Sequence, residues 1–324
     1  MLRLSITVCL LAALSVMAGC ASFNQTIDDV YRRESGSTLK PWKTLSEAAN
    51  AHWPYAWASV SAYLHNVDDK DIEVTETCPE PSRFLNEQKW QLWTELPRVG
   101  RKSIPNNDLE VKLQQAHLRV EVWSNQEANT VIVAFGGTAS MKDIGANLRW
   151  FLPFGEPDAY DVLTDYYVPA FVEAYKFRSN QPVGNWLRNA QIISTGHSLG
   201  GGLAQRFAYS LISTQSNPRV NEVYAFNPSP VSGKRSTSNF ADQAKELTIY
   251  RIYNRGEILA GVRSILQWFN LGNKRNEGQT FVDIRYAKNW SWRTLFPLGW
   301  IKAHRMHELA CFMKDQLQTS AGSP

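Results

Sequence analysis

The stretch that most constrains this chain runs Ile192-Ile193-Ser194-Thr195-Gly196-His197-Ser198-Leu199-Gly200-Gly201-Gly202. Two β-branched apolar residues open it, as in a short buried strand. A periodic segment from Leu199 to Ser213 follows and predicts a helix. Between them sits Gly196-x-Ser198-x-Gly200. A strand that turns directly into a helix forces its corner residue into a strained backbone conformation. Glycines two residues to either side remove the side chains that would collide in so tight a turn. Ser198 at that corner has its hydroxyl raised above the sheet. The first N–H groups of the helix, and the positive end of its dipole, lie beside it. This is a place to build and stabilise negative charge, with Ser198 as nucleophile and the backbone N–H of Leu199 as an oxyanion donor. A phosphate-binding loop would need Gly-Lys-Ser/Thr, which is absent.

The rest of the pattern agrees with a fold that can hold such a corner. Leu118, Val120 and Val122 alternate with Arg119 and Glu121, which predicts a half-exposed strand. Val131 to Phe135 is an unbroken apolar run, the mark of a strand covered on both faces. Helical periodicity covers Tyr160 to Phe177. Further strands are expected at Val223–Phe226, Leu247–Tyr253 and Thr280–Tyr286, and a closing helix at His304–Leu317. Alternation of strands and helices implies an α/β fold with a mostly parallel central sheet and helices on both faces. Upstream, Ser46 to His65 reads as a helix that Pro54 kinks or splits. Residues 66–110 read as irregular, with Trp90 and Trp93 on a short helix turned toward the core.

The N-terminus reads as an address. Arg3 precedes an apolar stretch from Leu4 to Val16, too short for the roughly 20 residues of a membrane-spanning helix. It ends Met17-Ala18-Gly19-Cys20, which resembles the lipobox of bacterial lipoproteins. Residues 1–19 are then a lipoprotein signal peptide, Cys20 the acylated first mature residue, and 20–45 a polar tether. A single domain with an N-terminal helical extension fills 46–324. Ala21 after the cysteine favours the outer membrane of a bacterial cell envelope. Of the four cysteines, Cys78 and Cys311 remain for one possible disulfide in an oxidising compartment. The net charge of +4 over 324 residues is too dilute for a nucleic-acid partner.

Together the GHSLGG corner and the upstream Phe135-Gly136-Gly137-Thr138 resemble the class 3 lipases of the α/β-hydrolase superfamily. The likeness extends through Tyr167 to Tyr175 and covers roughly 115–310, with a weaker fit at Ala62-Tyr63. The family more often has Arg where Gly136 stands, so a surface or loop-pinning interaction is missing while backbone donors remain. The resemblance implies an α/β-hydrolase fold and makes the backbone N–H of Thr138 the second oxyanion donor. It also implies the order nucleophile, acid, base. The base then falls after Ser198, at His304 or, less favoured, His307. The acid falls between them, and Glu257, in Tyr250 to Ile258, stands where the family has Asp; Asp283 and Asp242 remain alternatives. His197, His52, His65 and His117 are expected to be structural. The chemistry implied is hydrolysis of lipid carboxylic esters, of lipase or phospholipase A type, through an acyl-enzyme, with no metal or organic cofactor required. A soluble carboxylesterase or acyltransferase, or a lipoprotein that binds through an idle hydrolase scaffold, stays open. Aromatic stretches at Trp150–Phe154, Ile265–Phe269 and Trp290–Trp300 are expected to line an acyl pocket, rest on lipid, or pack in the core.

Overall fold

In a computed structural model of the chain, the residues described are 29–34, 37–64, 78–97, 107–137, 159–212, 218–229, 247–254, 280–286 and 306–321. The strands are β1 (Asp29–Glu34), β2 (Lys40–Thr44), β3 (Gln91–Leu92), β4 (Val120–Asn125), β5 (Thr130–Phe135), β6 (Gln191–His197), β7 (Val220–Phe226), β8 (Thr248–Asn254) and β9 (Thr280–Tyr286). Among the described residues they form one nine-stranded sheet in the order β2-β1-β9-β8-β7-β6-β5-β4-β3. The five central strands β5 to β9 are parallel, neighbour to neighbour. Antiparallel pairs close both edges, β4 and β3 at one and β1 and β2 at the other.

The helices are α1 (Leu45–Leu64), α2 (Pro81–Glu87), α3 (Asp108–Gln115), α4 (Ala159–Val162), α5 (Val168–Ser179), α6 (Leu199–Ile212) and α7 (Met306–Ala321). A π-helical turn, Leu163–Tyr167, joins α4 to α5, and a 3-10 helix covers Pro182–Asn189. Two apolar layers sandwich the sheet. In β5, Val131, Val133 and Phe135 point into one layer with residues of α3, α4, α5 and α6. Ile132 and Ala134 point into the other with α1, α2 and α7. Both faces of β5 are therefore buried, which is why its sequence is an unbroken apolar run rather than an alternation.

Four sequence expectations change. The tether placed over residues 20–45 does not hold for its second half. Residues 29–34 and 40–44 are strands, and β1 pairs with β9 from Val282 to Tyr286. Their polar residues mislead because β2 is an outermost strand, where one side of the ladder faces water. Pro54 does not split α1, which runs as one 20-residue helix. The fully buried Ala56, Trp57 and Ala58 just after the proline press α1 into the second layer, and that packing overrides the local break. Trp90 and Trp93 flank the short strand β3 instead of lying on a helix; both are buried. The strand at Arg119 and Glu121 is not half-exposed. Glu121 is 2% exposed and accepts a hydrogen bond from Trp123 Nε1 at 3.0 Å, because α1 and α2 cover this face too.

Cys78 and Cys311 do meet. Their Cα atoms are 5.3 Å apart and the two sulfurs are bonded, tying the segment before α2 to α7. The proposed signal peptide and Cys20 lie outside the described residues, as do the three aromatic stretches. Among the described residues no helix is long and apolar enough to cross a membrane.

Candidate active site

Strand β6 delivers Ser198 to the C-terminal end of the parallel sheet. Its buried polar residues are satisfied on the way: Ser194 Oγ donates to the Ala204 carbonyl at 2.9 Å and Thr195 Oγ1 to the Tyr224 carbonyl at 2.8 Å. β6 ends at His197 and α6 begins at Leu199, so a single residue makes the corner. That residue, Ser198, has φ +56°, a left-handed conformation that a non-glycine residue adopts only at some cost. Three backbone hydrogen bonds hold it there. Its N–H donates to the Phe226 carbonyl at 3.0 Å; its carbonyl accepts from Gly201 N–H at 3.1 Å and Ser229 N–H at 2.9 Å. β7 and the residues after it thus grip both sides of the strained peptide.

The glycines are required by contact. A Cβ on Gly196 would lie 2.3 Å from the Gly200 carbonyl oxygen, and one on Gly200 would lie 2.2 Å from that of Phe135. The first turn of α6 consequently rests against the end of β5. This brings the loop after β5 to the nucleophile: a Cβ on Gly137 would sit 2.6 Å from the His197 carbonyl oxygen and 3.4 Å from Ser198 Cβ. Leu199 is the first residue of α6, and its N–H belongs to the group that an α-helix leaves without an internal partner.

Of the residues read from the sequence, Ser198, Leu199 and the Gly136-Gly137 approach are brought together. Thr138, Glu257 and His304 lie outside the described residues. Glu257 follows β8, whose carboxyl end points the same way as those of β5, β6 and β7. The alternatives fare differently. His307 stands in the first turn of α7 with Nε2 3.0 Å from Cys78 Sγ, and burial lowers its pKa. Asp283, an alternative acid in the sequence reading, is 6% exposed and held by Arg33 on β1 and Arg251 on β8, at 2.5 and 2.6 Å. Asp242 lies outside the described residues.

The remaining histidines behave structurally where they are described. His197 is buried against the edge of the Tyr63 ring, centroids 6.1 Å apart. His52 Nδ1 lies 2.7 Å from Tyr286 Oη, and burial pushes its pKa down to about 3. His117 occupies an exposed turn with φ +50°. Cys78, His307 and Cys311 bring three donor atoms within 4.8 Å of one another, but sulfurs bonded to each other have no thiolate to offer a metal.

Sequence reasoning missed Arg119. Although it alternates with apolar residues, it is only 9% exposed. Its guanidinium donates to the Tyr63 carbonyl at 2.5 Å and to the Gly137 carbonyl, and lies 5.1 Å from the Tyr63 ring centroid. Alternation could not have revealed it, because the cover comes from the end of α1, far away in sequence.

A profile of the Lipase (class 3) family matches residues 132–266, the segment from the middle of β5 to beyond β8. Over that segment the chain is class 3 lipase-like. It is a carboxylic ester hydrolase of the α/β-hydrolase fold, with the parallel sheet and nucleophile corner described above. Among solved structures, the native Rhizomucor miehei lipase propeptide complex is similar at 16% identity and a TM-score of 0.44, over 74% of this chain and 70% of that one. The Lip2 lipase from Yarrowia lipolytica gives 17% and 0.45, over 67% and 75%. The mono- and diacylglycerol lipase from Aspergillus oryzae gives 14% and 0.39, over 83% and 100%. No curated protein sequence matches.

Proposed function

We propose that this class 3 lipase-like chain cleaves carboxylic esters of lipids, as a lipase or phospholipase A, through an acyl-enzyme at Ser198. The observation that carries the reading is Ser198 at φ +56° between β6 and α6, with the loop after β5 against it. A serine hydroxyl needs a base, and His304, just ahead of α7, takes its proton as Oγ attacks the ester carbonyl. Glu257 orients the imidazole and stabilises its cation. The N–H groups of Leu199 and Thr138 receive the oxyanion. The proton passes to the departing alcohol, and water resolves the acyl-enzyme by the same route. The engagement of His307 with Cys78 and of Asp283 with two arginines favours His304 and Glu257 over those alternatives. Acylation at Cys20 would hold the enzyme at the outer membrane of a bacterial envelope, next to its substrate.

The test is labelling by a fluorophosphonate probe beside Ser198→Ala, followed by turnover of emulsified long-chain and soluble short-chain esters. Labelling that disappears in Ser198→Ala, with preference for emulsified esters, is expected. A folded wild-type protein that stays unlabelled with and without detergent refutes the nucleophile. Equal turnover of soluble esters refutes the lipid substrate. Palmitate incorporation abolished by Cys20→Ala checks the anchor.

A further inference from the structure

We propose that Cys78, His307 and Cys311 form a zinc site in the reduced chain. The same three residues then tie α7 to the segment before α2 in two ways, by a disulfide when oxidised and by a metal ion when reduced. The inference does not depend on the reading of Ser198.

Local structure assembles the group. His307 and Cys311 are four residues apart on α7, which puts them on one face, a turn from each other. Met306, Leu309, Ala310 and Met313 are buried in the second apolar layer, and His307 and Cys311 are left half-buried at its margin. Cys78 comes from the other side. It is 6% exposed in the same layer, and Pro79 joins it to Glu80, the cap of α2. Cys78 Sγ lies 3.0 Å from His307 Nε2, and the three donor atoms all lie within 4.8 Å of one another. Two packed elements thus bring two sulfurs and an imidazole nitrogen to one place.

The donor set selects the ion. Zinc takes thiolate sulfur at about 2.3 Å and imidazole nitrogen at about 2.0 Å, so its tetrahedral ligands stand roughly 3.5–4 Å apart. Once the S–S bond is broken, rotation of the two cysteine side chains opens the sulfurs to that spacing. Calcium and magnesium seek oxygen, and among the described residues no carboxylate joins the group. Glu80, two residues after Cys78, spends both carboxylate oxygens on the N–H groups of Ser82 and Arg83. Two thiolates balance the charge of a divalent ion. The complex is neutral and suits the margin of an apolar layer, where two unpaired thiolates would be costly. Three protein ligands leave the fourth corner to water.

The exchange balances with a dithiol as reductant. It passes two electrons and two protons to the Cys78–Cys311 bond, which breaks into two thiols while the dithiol closes into its own disulfide. Zinc displaces both protons, and His307 supplies the Nε2 lone pair. A small-molecule disulfide takes the two electrons back, the S–S bond reforms and zinc is released.

The experiment uses the full chain with Cys9→Ser and Cys20→Ser, which leaves Cys78 and Cys311 as its only cysteines. It is prepared oxidised, and reduced with a phosphine. Zinc is titrated against a chromophoric chelator, and cobalt is substituted for its absorption spectrum. The oxidised chain is expected to bind no zinc and the reduced chain one equivalent. Cobalt in the reduced chain should show tetrahedral visible bands and thiolate-to-metal charge transfer, and zinc should raise its urea midpoint. His307→Ala keeps both cysteines and should weaken zinc at least tenfold, since losing even an outer partner of a ligand costs about that much. Cys311→Ser should lose about half of the charge-transfer intensity; should it not fold, His307→Ala carries the comparison. A reduced chain without stoichiometric zinc, equal binding by oxidised and reduced chains, or undiminished affinity in His307→Ala overturns the proposal.

Discussion

A left-handed serine is tolerable only because its neighbours give it no alternative, and the cost of disturbing them can be foreseen. Gly200→Ala would set a methyl 2.2 Å from the Phe135 carbonyl oxygen, a backbone atom that cannot swing away. The first turn of α6 must then lift off β5. We expect about 1–3 kcal/mol lost in urea unfolding, the usual range for overpacking, together with slowed fluorophosphonate labelling of Ser198. Unchanged labelling would mean that the corner has slack. His52 makes a second prediction. It is 2% exposed, and its pKa falls from 6.5 to about 3 because burial penalises the imidazolium. The folded state therefore binds fewer protons than the unfolded one below pH 6.5. The stability that neutral His52 contributes is fully present above that pH and is lost as pH falls toward 3, on the order of 5 kcal/mol over the whole window. His307, lowered in the same direction, adds to the slope. Urea midpoints at pH 7, 5.5 and 4.5 should decline steadily, and His52→Gln should start lower but decline less; a parallel decline would assign the slope elsewhere. At this scale the sequence was readable where a role depends on neighbours in the chain. Ser198 and Leu199 follow from spacing alone. Arg119, His52 and Asp283 did not, because each is buried by a segment tens to hundreds of residues away.

Elements were legible in proportion to how far their own residues determine their burial. The parallel strands β5 to β9 carry apolar cores that no neighbour needs to explain, and Thr280–Tyr286 was read to the residue. The short strand β3 was not, since two residues carry no period and its tryptophans suit a helix as well. The helix from Ala159 to Ser179 was legible as one unit, but the π turn at Leu163–Tyr167 was invisible. It ends two residues before Pro169, which has no N–H to donate and falls in the first turn of α5. α7 is the element with the most at stake. It packs along α1 in the second layer, it follows the segment that carries His304, and Cys311 ties it to Cys78 across a separation of 233 residues. Closing so long a loop constrains the unfolded chain strongly, so reduction should cost about 2–5 kcal/mol. Dithiothreitol is expected to lower the urea midpoint of the wild type and to leave a Cys78→Ala/Cys311→Ala double variant where it already stands, near the reduced wild type. Equal midpoints for oxidised and reduced wild type would mean that the bridge contributes nothing to stability.

At the scale of the whole molecule, the N-terminal segment decides whether the sheet is finished. β9 is the last of the parallel strands, and without β1 one side of its ladder would be an open edge. β1 pairs with it from Val30 opposite Tyr286 to Glu34 opposite Val282, and buries Val30 in the second layer. β2 then pairs with β1 as the outermost strand and carries Lys40, Pro41 and Lys43, residues that discourage further pairing. Arg33 adds an ion pair to Asp283 in the middle of β9, and Arg251 approaches the same carboxylate from β8. Removing residues 20–44 as though they were only a tether would therefore do three things. It would uncover five residues of ladder, remove Val30 from the apolar layer that holds Val282, Ile284 and Tyr286, and leave Asp283 with one arginine instead of two. We expect that truncation to aggregate or to unfold at markedly lower urea than a chain cut only to residue 28, judged by size-exclusion chromatography and a urea titration. The longer chain should stay monodisperse with labelling of Ser198 intact, since the nucleophile corner lies three strands in from β9. If the two truncations behave alike, the hairpin is an ornament on a sheet complete without it, and the reading of 20–45 as tether returns.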